Sequence, residues 1–93
     1  MIHGTLTDFI DQLYYGQELW FLYQGEKYFL QGWTEDENNT MVLSLVDGKP
    51  FTGYIWEDCE TSMIACGEHF LKAPIWSGRT FLEIENDVEW VDD

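Results

Sequence analysis

Two cysteines and one histidine are the residues of this chain with the clearest capacity for chemistry. Cys66 and His69 are three positions apart, and Cys59 lies seven positions before Cys66. Zinc usually takes four ligands, commonly as two close pairs, and the sequence offers no second pair. If this segment is helical, its spacing places four residues on one apolar face: Cys59, Met63, Cys66 and Phe70. A free cysteine on such a face behaves as a small hydrophobic residue, so the sequence predicts no metal site and no cofactor.

Catalytic motifs are the next feature to consider. A Cys–His pair needs an orienting acid and oxyanion donors, and neither accompanies Cys66 and His69. Glycines occur singly, without the GxxxxGK or GxGxxG spacing that binds phosphates. Carboxylates are so abundant that no pair indicates glycoside hydrolysis, and no DxDxDG calcium loop is present. The sequence predicts that the protein is not an enzyme.

Acidic residues dominate the charge of the chain. Eighteen Asp and Glu residues against four Lys and Arg residues give a formal net charge of −14. Four cations cannot neutralise a row of phosphates, so we expect no direct binding of nucleic acid. Three clusters hold most of the candidate acids: Glu35, Asp36 and Glu37; Glu57, Asp58 and Glu60; and Glu83, Glu85, Asp87, Glu89 and Asp92. Each cluster is either a solvated edge or part of a surface for a basic partner.

The first predicted hairpin is apolar on both faces. Alternation along residues 18–23 places Trp20 and Leu22 on one face, which Phe29 and Trp33 of residues 26–33 share. A sheet with one solvated face should instead alternate apolar and polar residues. Either a helix covers each face, or one face is an aromatic patch bordered by acids. Such a patch is typical of a protein–protein surface and would also suit a homodimer.

Local signals predict the elements that position these residues. Thr5 can cap a helix, with Asp8 at the capping-box position and Gly16 at its end. Strands follow at 18–23, 26–33, 40–46 and 51–56, joined by Gln24-Gly25, a polar loop at 35–39 and a turn at 47–50. A second helix covers about 62–72, before Pro74. The sequence predicts an α+β fold with an antiparallel four-stranded meander and helices packed against it.

The acidic tail has two interpretations. As a strand, it would space its carboxylates about 6.6 Å apart, close to the phosphate spacing along one DNA strand. As a helix, Thr80 and Glu83 would form a capping box. We favour a short C-terminal helix from about Thr80 to Asn86, followed by a brief strand, Glu89–Val91. That strand would be a short fifth member of the sheet.

Length and hydropathy place limits on organisation and location. Ninety-three residues without an internal repeat or boundary predict a single domain, 1–93. No run approaches the roughly 18 apolar residues of a membrane span. The first residues, MIHGTLTDFI, lack a cationic region followed by an apolar run. We therefore expect a cytoplasmic protein with reduced thiols and no membrane partner.

Two stretches carry a resemblance to known proteins: GQELWFLYQGEKYFLQGW and LKAPIWSGRTFLEIENDVEW. There the chain resembles short uncharacterised acidic proteins of Gram-positive bacteria and their mobile elements. Such proteins typically have a more polar outer hairpin face, from which Trp20 and Leu22 depart. In size, acidity and lack of catalytic residues, the chain is also similar in type to phage-encoded inhibitors, notably anti-CRISPR proteins. That likeness implies a non-enzymatic inhibitor.

The functional prediction combines these features. We expect a small acidic inhibitor that binds a basic nucleic-acid-binding surface of a nuclease, with carboxylates replacing phosphates and aromatic residues such as Trp20 as anchors. One alternative is an immunity or antitoxin protein that neutralises a basic toxin. Another is a housekeeping protein-binding module.

Overall fold

The computed structural model describes residues 1–46 and 54–91. In chain order its elements are α1 (Leu6–Tyr14), β1 (Leu19–Tyr23), β2 (Glu26–Glu35), β3 (Asn38–Leu45), β4 (Trp56–Glu60), α2 (Met63–Lys72), α3 (Phe81–Ile84), a 3₁₀ turn (Glu85–Asp87) and β5 (Glu89–Val91). The strands form one antiparallel sheet in the order β4-β3-β2-β1-β5. The predicted α+β fold is confirmed, with its N-terminal, second and short C-terminal helices and its fifth strand.

Helix caps follow the chemistry of neighbouring side chains. The Thr5 hydroxyl accepts a hydrogen bond from the backbone N–H of Asp8 at 3.1 Å, as expected at the start of α1. Gly16 lies just beyond the end of α1 with a φ of +71°, which glycine adopts at little cost. The capping box at α3 is also present, with Thr80 and Glu83 each accepting from the other's backbone N–H.

The turn between β1 and β2 fixes the register of the first hairpin. Gln24 and Gly25 both have positive φ, at 52° and 80°, which is typical of the two-residue turns that match strand twist. This register places Trp20 opposite Phe29 and Leu22 opposite Lys27. The next hairpin is longer than predicted: β2 continues to Glu35 and β3 begins at Asn38, so the expected loop at 35–39 is a turn at Asp36 and Glu37.

The fourth strand was predicted too early. We expected it at 51–56, whereas β4 covers Trp56–Glu60. Of the predicted stretch, residues 51–53 lie outside the described residues, as does the expected turn at 47–50. The apolar content of residues 51–56 favoured the earlier position. The strand is instead determined by pairing with β3, which places Leu43 opposite Trp56 and Asn39 opposite Glu60. A strand at a sheet edge tolerates charged side chains well.

The later position of β4 changes the secondary structure assigned to four residues. Glu57, Asp58 and Glu60, which the sequence predicts in a turn after the fourth strand, belong to β4 itself. Cys59 lies in the same strand, so its predicted place on the apolar face of the second helix was wrong.

The hydrophobic core lies on one side of the sheet, which we call the helix side. Buried residues from all three helices pack there, including Phe9 of α1, Phe70 of α2 and Phe81 of α3. The Phe9 ring stacks on that of Phe81, with centroids 5.0 Å apart, and meets the ring of Phe21 edge-on. Since the described helices all use this side, helices on both faces of the first hairpin are not found in residues 1–46 and 54–91.

A glycine lets the two longer helices approach closely. A Cβ added at Gly67 of α2 would lie 2.7 Å from Cδ1 of Tyr14 in α1. The side-chain-free position therefore allows α2 to pack tightly on α1 and across β3 and β4. No helix in the described ranges is long and apolar enough to cross a membrane.

Candidate functional site

The structure brings the four predicted apolar anchors to the side of the sheet opposite the helices, which we call the outer face. Strand alternation places Trp20 and Leu22 of β1 there with Phe29 and Trp33 of β2. The rings of Trp20 and Phe29 stack, with centroids 4.8 Å apart and planes inclined by 11°. Trp33 is 37% exposed, whereas the other three are half-buried. We call these four residues the aromatic face, in which Gln31 separates Trp33 from the stacked pair along β2.

The centre of the outer face is closed to solvent. Val42 of β3 is fully buried, and Ser44 is only 9% exposed. The Ser44 hydroxyl donates to the carbonyl oxygen of Phe29 at 3.5 Å, which satisfies its polar group. Trp33 is therefore the most exposed of the four apolar anchors, and Lys27 is the single Lys or Arg of this face within the described strands.

Carboxylates border the Trp33 end of this face. Glu35 follows Trp33 on the same side of β2, and Asp36 and Glu37 form the exposed turn to β3. Glu57 is exposed on the outer side of β4, opposite Val42. Of the four predicted apolar anchors, Trp33 is the one that adjoins the first acidic cluster along the chain. Of the second cluster, only Glu57 joins it.

The acidic tail is held by local partners and does not form a regular row. Glu83 belongs to the capping box, where hydrogen bonds from Thr80 hold its pKa below the usual range. Glu85 pairs with the N-terminal amine of Met1, and Glu89 lies 2.9 Å from Nε2 of His3. Asp87 is exposed in the 3₁₀ turn, and Asp92 lies outside the described residues. These contacts hold the carboxylates of Glu83, Glu85 and Glu89 against partners within the protein.

The other two acids of the second cluster lie on the helix side of β4 with His69 of α2. Nδ1 of His69 is 2.7 Å from Oδ2 of Asp58 and 3.5 Å from Oε1 of Glu60. The hydrogen bond to Asp58 raises the pKa of His69. Spacing in the sequence pairs His69 with Cys66 and does not indicate this grouping. The available signal was a pair of carboxylates two residues apart, followed by a helix that could return a histidine to them.

The two thiols are free and have separate environments. Cys66 is fully buried, and its thiol donates to the carbonyl oxygen of Asn39 at 3.4 Å. Burial, followed by the nearby charge of Asp58, raises the pKa of Cys66, which disfavours the thiolate needed for nucleophilic attack. Cys59 is exposed and accepts from the Thr40 hydroxyl at 3.8 Å. The two thiols therefore lie on opposite sides of β3 and β4, with separate partners.

Two concave regions were not foreseen from the sequence. A groove of about 710 Å³ is lined by His3, Gln12, Glu18, Leu19, Trp20, Trp90 and Val91. It shares Trp20 with the aromatic face, so one rim of the groove is continuous with that face. A smaller hollow of about 360 Å³ lies beside Trp76 and Arg79, and the buried Nε1 of Trp76 has no hydrogen-bond partner among the described residues.

Comparisons of the chain with protein-family models, with curated proteins and with solved structures found no match.

Proposed function

We propose that this protein is a small, non-enzymatic inhibitor that binds a basic, nucleic-acid-binding surface of a nuclease effector through its aromatic face. The observation that carries the proposal is the contiguity of Trp33 with the acids at the turn between β2 and β3. Aromatic side chains supply much of the energy at protein interfaces, and complementary charge at the rim directs the approach of the partner. Trp33 and the acidic turn that follows it place both properties in the hairpin of β2 and β3.

Charge favours a basic partner. The formal net charge is −14, and Lys27 alone opposes the carboxylates on the described part of the outer face. Proteins that bind nucleic acid carry dense basic surfaces because they must neutralise rows of phosphates. A protein that presents carboxylates beside aromatic rings would compete with nucleic acid for such a surface. This mechanism needs no catalytic residue in the inhibitor.

The structure narrows the residues that we assign to binding. Glu35, Asp36, Glu37 and Glu57 would supply the main charge around Trp33. Glu83, Glu85 and Glu89 contribute less because each already has a local partner. Asp58 and Glu60 lie on the opposite side of the sheet from Glu57, so they are not part of this proposed interface.

The experiment is an affinity purification from host lysate at low and high salt, with a matched pair of charge variants. The binding variant carries Glu35→Gln, Asp36→Asn and Glu37→Gln. The control carries Asp11→Asn, Glu26→Gln and Glu68→Gln, which remove the same charge from exposed positions away from the outer face. The proposal expects a nucleic-acid-binding protein that the native chain and the control retain and the binding variant loses.

Competition then tests the mechanism. Short duplex or single-stranded DNA should displace the inhibitor from the purified partner if both use the same basic surface. Simultaneous binding of inhibitor and nucleic acid would contradict mimicry. Capture of a non-nuclease toxin would favour the immunity-protein alternative, and self-association of the native chain in analytical ultracentrifugation would assign the aromatic face to a homodimer.

A further inference from the structure

Three potential metal ligands converge where the edge strand β4 meets α2. Asp58 and Glu60 alternate on the helix side of β4, and His69 extends from the last turn of α2. One ligand atom of each residue lies within 4.8 Å of those of the other two. The exposed fractions of the side chains are 50% for His69, 23% for Asp58 and 37% for Glu60. The group is therefore reachable from solvent.

We propose that Asp58, Glu60 and His69 form a binding site for a divalent transition-metal ion such as Zn²⁺, Co²⁺ or Mn²⁺. Imidazole nitrogen selects for transition metals over Ca²⁺ and Mg²⁺, which prefer oxygen ligands alone. Two carboxylates balance the charge of the ion, and the exposure of the cluster leaves further coordination positions for water. The site is independent of the proposed inhibitor function, because it lies on the opposite side of the sheet from the aromatic face.

The observed distances suit such an ion after a small adjustment. Metal–ligand bonds of about 2.0–2.2 Å put tetrahedral ligand atoms roughly 3.3–3.6 Å apart. The separation of 3.5 Å between His69 and Glu60 is already close to this value. The 2.7 Å hydrogen bond between His69 and Asp58 must open by about 0.6–0.9 Å. Partly exposed side chains can make that change by small rotations, without movement of the backbone.

Two neighbouring groups limit the ligand set. Cys66 lies one helical turn before His69 but is fully buried, and its thiol is hydrogen-bonded to Asn39. Lys72 follows His69 by one turn and acts on it electrostatically, so it competes with a metal for the same negative field. The site therefore has three protein ligands and no thiolate. It differs from the Cys59, Cys66 and His69 set that the sequence led us to reject.

The chain contains a matched control for this proposal. His3 also pairs with a carboxylate, with Nε2 at 2.9 Å from Oε1 of Glu89, and is 67% exposed. The described structure gathers a third ligand only around His69. A metal that binds any exposed His–carboxylate pair would therefore use both histidines, whereas the proposed site requires His69 alone.

The test titrates chelator-treated protein with CoCl₂ or ZnCl₂ at neutral pH by isothermal calorimetry. We expect one equivalent to bind, no thiolate-to-cobalt charge-transfer absorption, and a melting temperature that rises with metal concentration. His69→Gln and Asp58→Asn should each weaken metal binding by at least about tenfold. Substituting a residue that only hydrogen-bonds to a metal ligand already lowers affinity by about that factor. His3→Gln and Cys59→Ser should bind as the native chain does.

Paramagnetic broadening locates the ion without any substitution. Substoichiometric Mn²⁺ should broaden the amide NMR signals of β4 and the C-terminal half of α2 first. Strongest broadening around His3, unaltered affinity in both cluster variants, or no binding at millimolar metal would each overturn the proposal. Circular dichroism of the metal-free variants confirms that a loss of affinity is not a loss of fold.

Discussion

Trp20 and Phe29 stack in parallel across the first hairpin, 4.8 Å apart, on the side of the sheet that faces away from the helices. Their partial burial means that the pair supports the sheet as well as offering surface to a partner. Trp33 on the same face is more exposed, at 37%. Substituting each tryptophan alone therefore distinguishes what the aromatic face contributes to stability from what it contributes to binding.

Replacing Trp20 should mainly lower stability, whereas replacing Trp33 should mainly weaken binding of the partner. Trp20→Ala removes an aromatic pair worth about 0.5–1.5 kcal/mol beyond its buried area, so the free energy of unfolding should fall by at least about 1 kcal/mol. Trp33→Ser should cost less stability than Trp20→Ala, because its ring is more exposed and no stacked partner is lost, and it should weaken partner binding more. Urea denaturation of both variants measures the difference. Equal losses of stability would show that Trp33 is as structural as Trp20.

The acidic turn should act collectively on the rate of association. Neutralising Glu35, Asp36 and Glu37 together should slow association and flatten its salt dependence, with a smaller effect on dissociation. Any one of these changes should cost under about 1 kcal/mol, because a rim charge is well screened. The equivalent triple change at Glu83, Glu85 and Glu89 should have less effect on the rate, since local partners already engage them. Stopped-flow association across salt concentrations compares the two sets, and a larger effect of the tail would refute this ranking.

Phe9 should be among the most costly core positions. Its ring is fully buried, stacks on Phe81 and contacts Phe21 edge-on. Phe9→Ala should destabilise the fold by about 3–5 kcal/mol, through lost burial and an unfilled cavity. Tyr15→Ala, at a side chain 75% exposed, is the control and should cost less than about 0.5 kcal/mol. A mild effect of Phe9→Ala in calorimetry would mean that the core can collapse around the gap.

Gly67→Ala should destabilise despite alanine's better helix propensity. The substitution gains about 1 kcal/mol of propensity in a helix interior, but the new Cβ would lie 2.7 Å from the Tyr14 ring. Removing that ring with Tyr14→Ala should shrink the penalty of Gly67→Ala. A double-mutant cycle measured by denaturation gives the coupling, and additive effects would exclude the contact as the cause.

The capping box should make the free energy of unfolding decrease as the pH falls into the acid range. Hydrogen bonds from Thr80 lower the pKa of Glu83 in the folded state. Its contribution is therefore present above the unfolded pKa and is lost as pH falls through the lower folded pKa. Glu83→Gln should reduce the slope of unfolding free energy against pH in the acid range, while Thr80→Ser, which keeps both hydrogen bonds, should preserve it. An unchanged slope in Glu83→Gln would show that other carboxylates dominate acid unfolding.

Near-neighbour chemistry made several elements predictable from the sequence alone. Thr5 and Thr80 each cap a helix through residues three positions away, and Gln24-Gly25 specifies its turn through the backbone angles that glycine allows. Alternation along β1 and β2 likewise assigned Trp20 and Phe29 to one face. These features depend on interactions within a few residues, so the sequence of the segment contains the information they need.

Contacts between distant residues decided the rest. The position of β4 depends on pairing with β3, which the composition of residues 51–60 did not reveal. His69 meets Asp58 and Glu60 because α2 packs back on β4, and the same packing buries Cys66. Glu85 pairs with the N-terminal amine of Met1, which is 84 positions away in the sequence. A local pattern shows which face of an element is apolar, but only the packed chain determines which side chains meet across it.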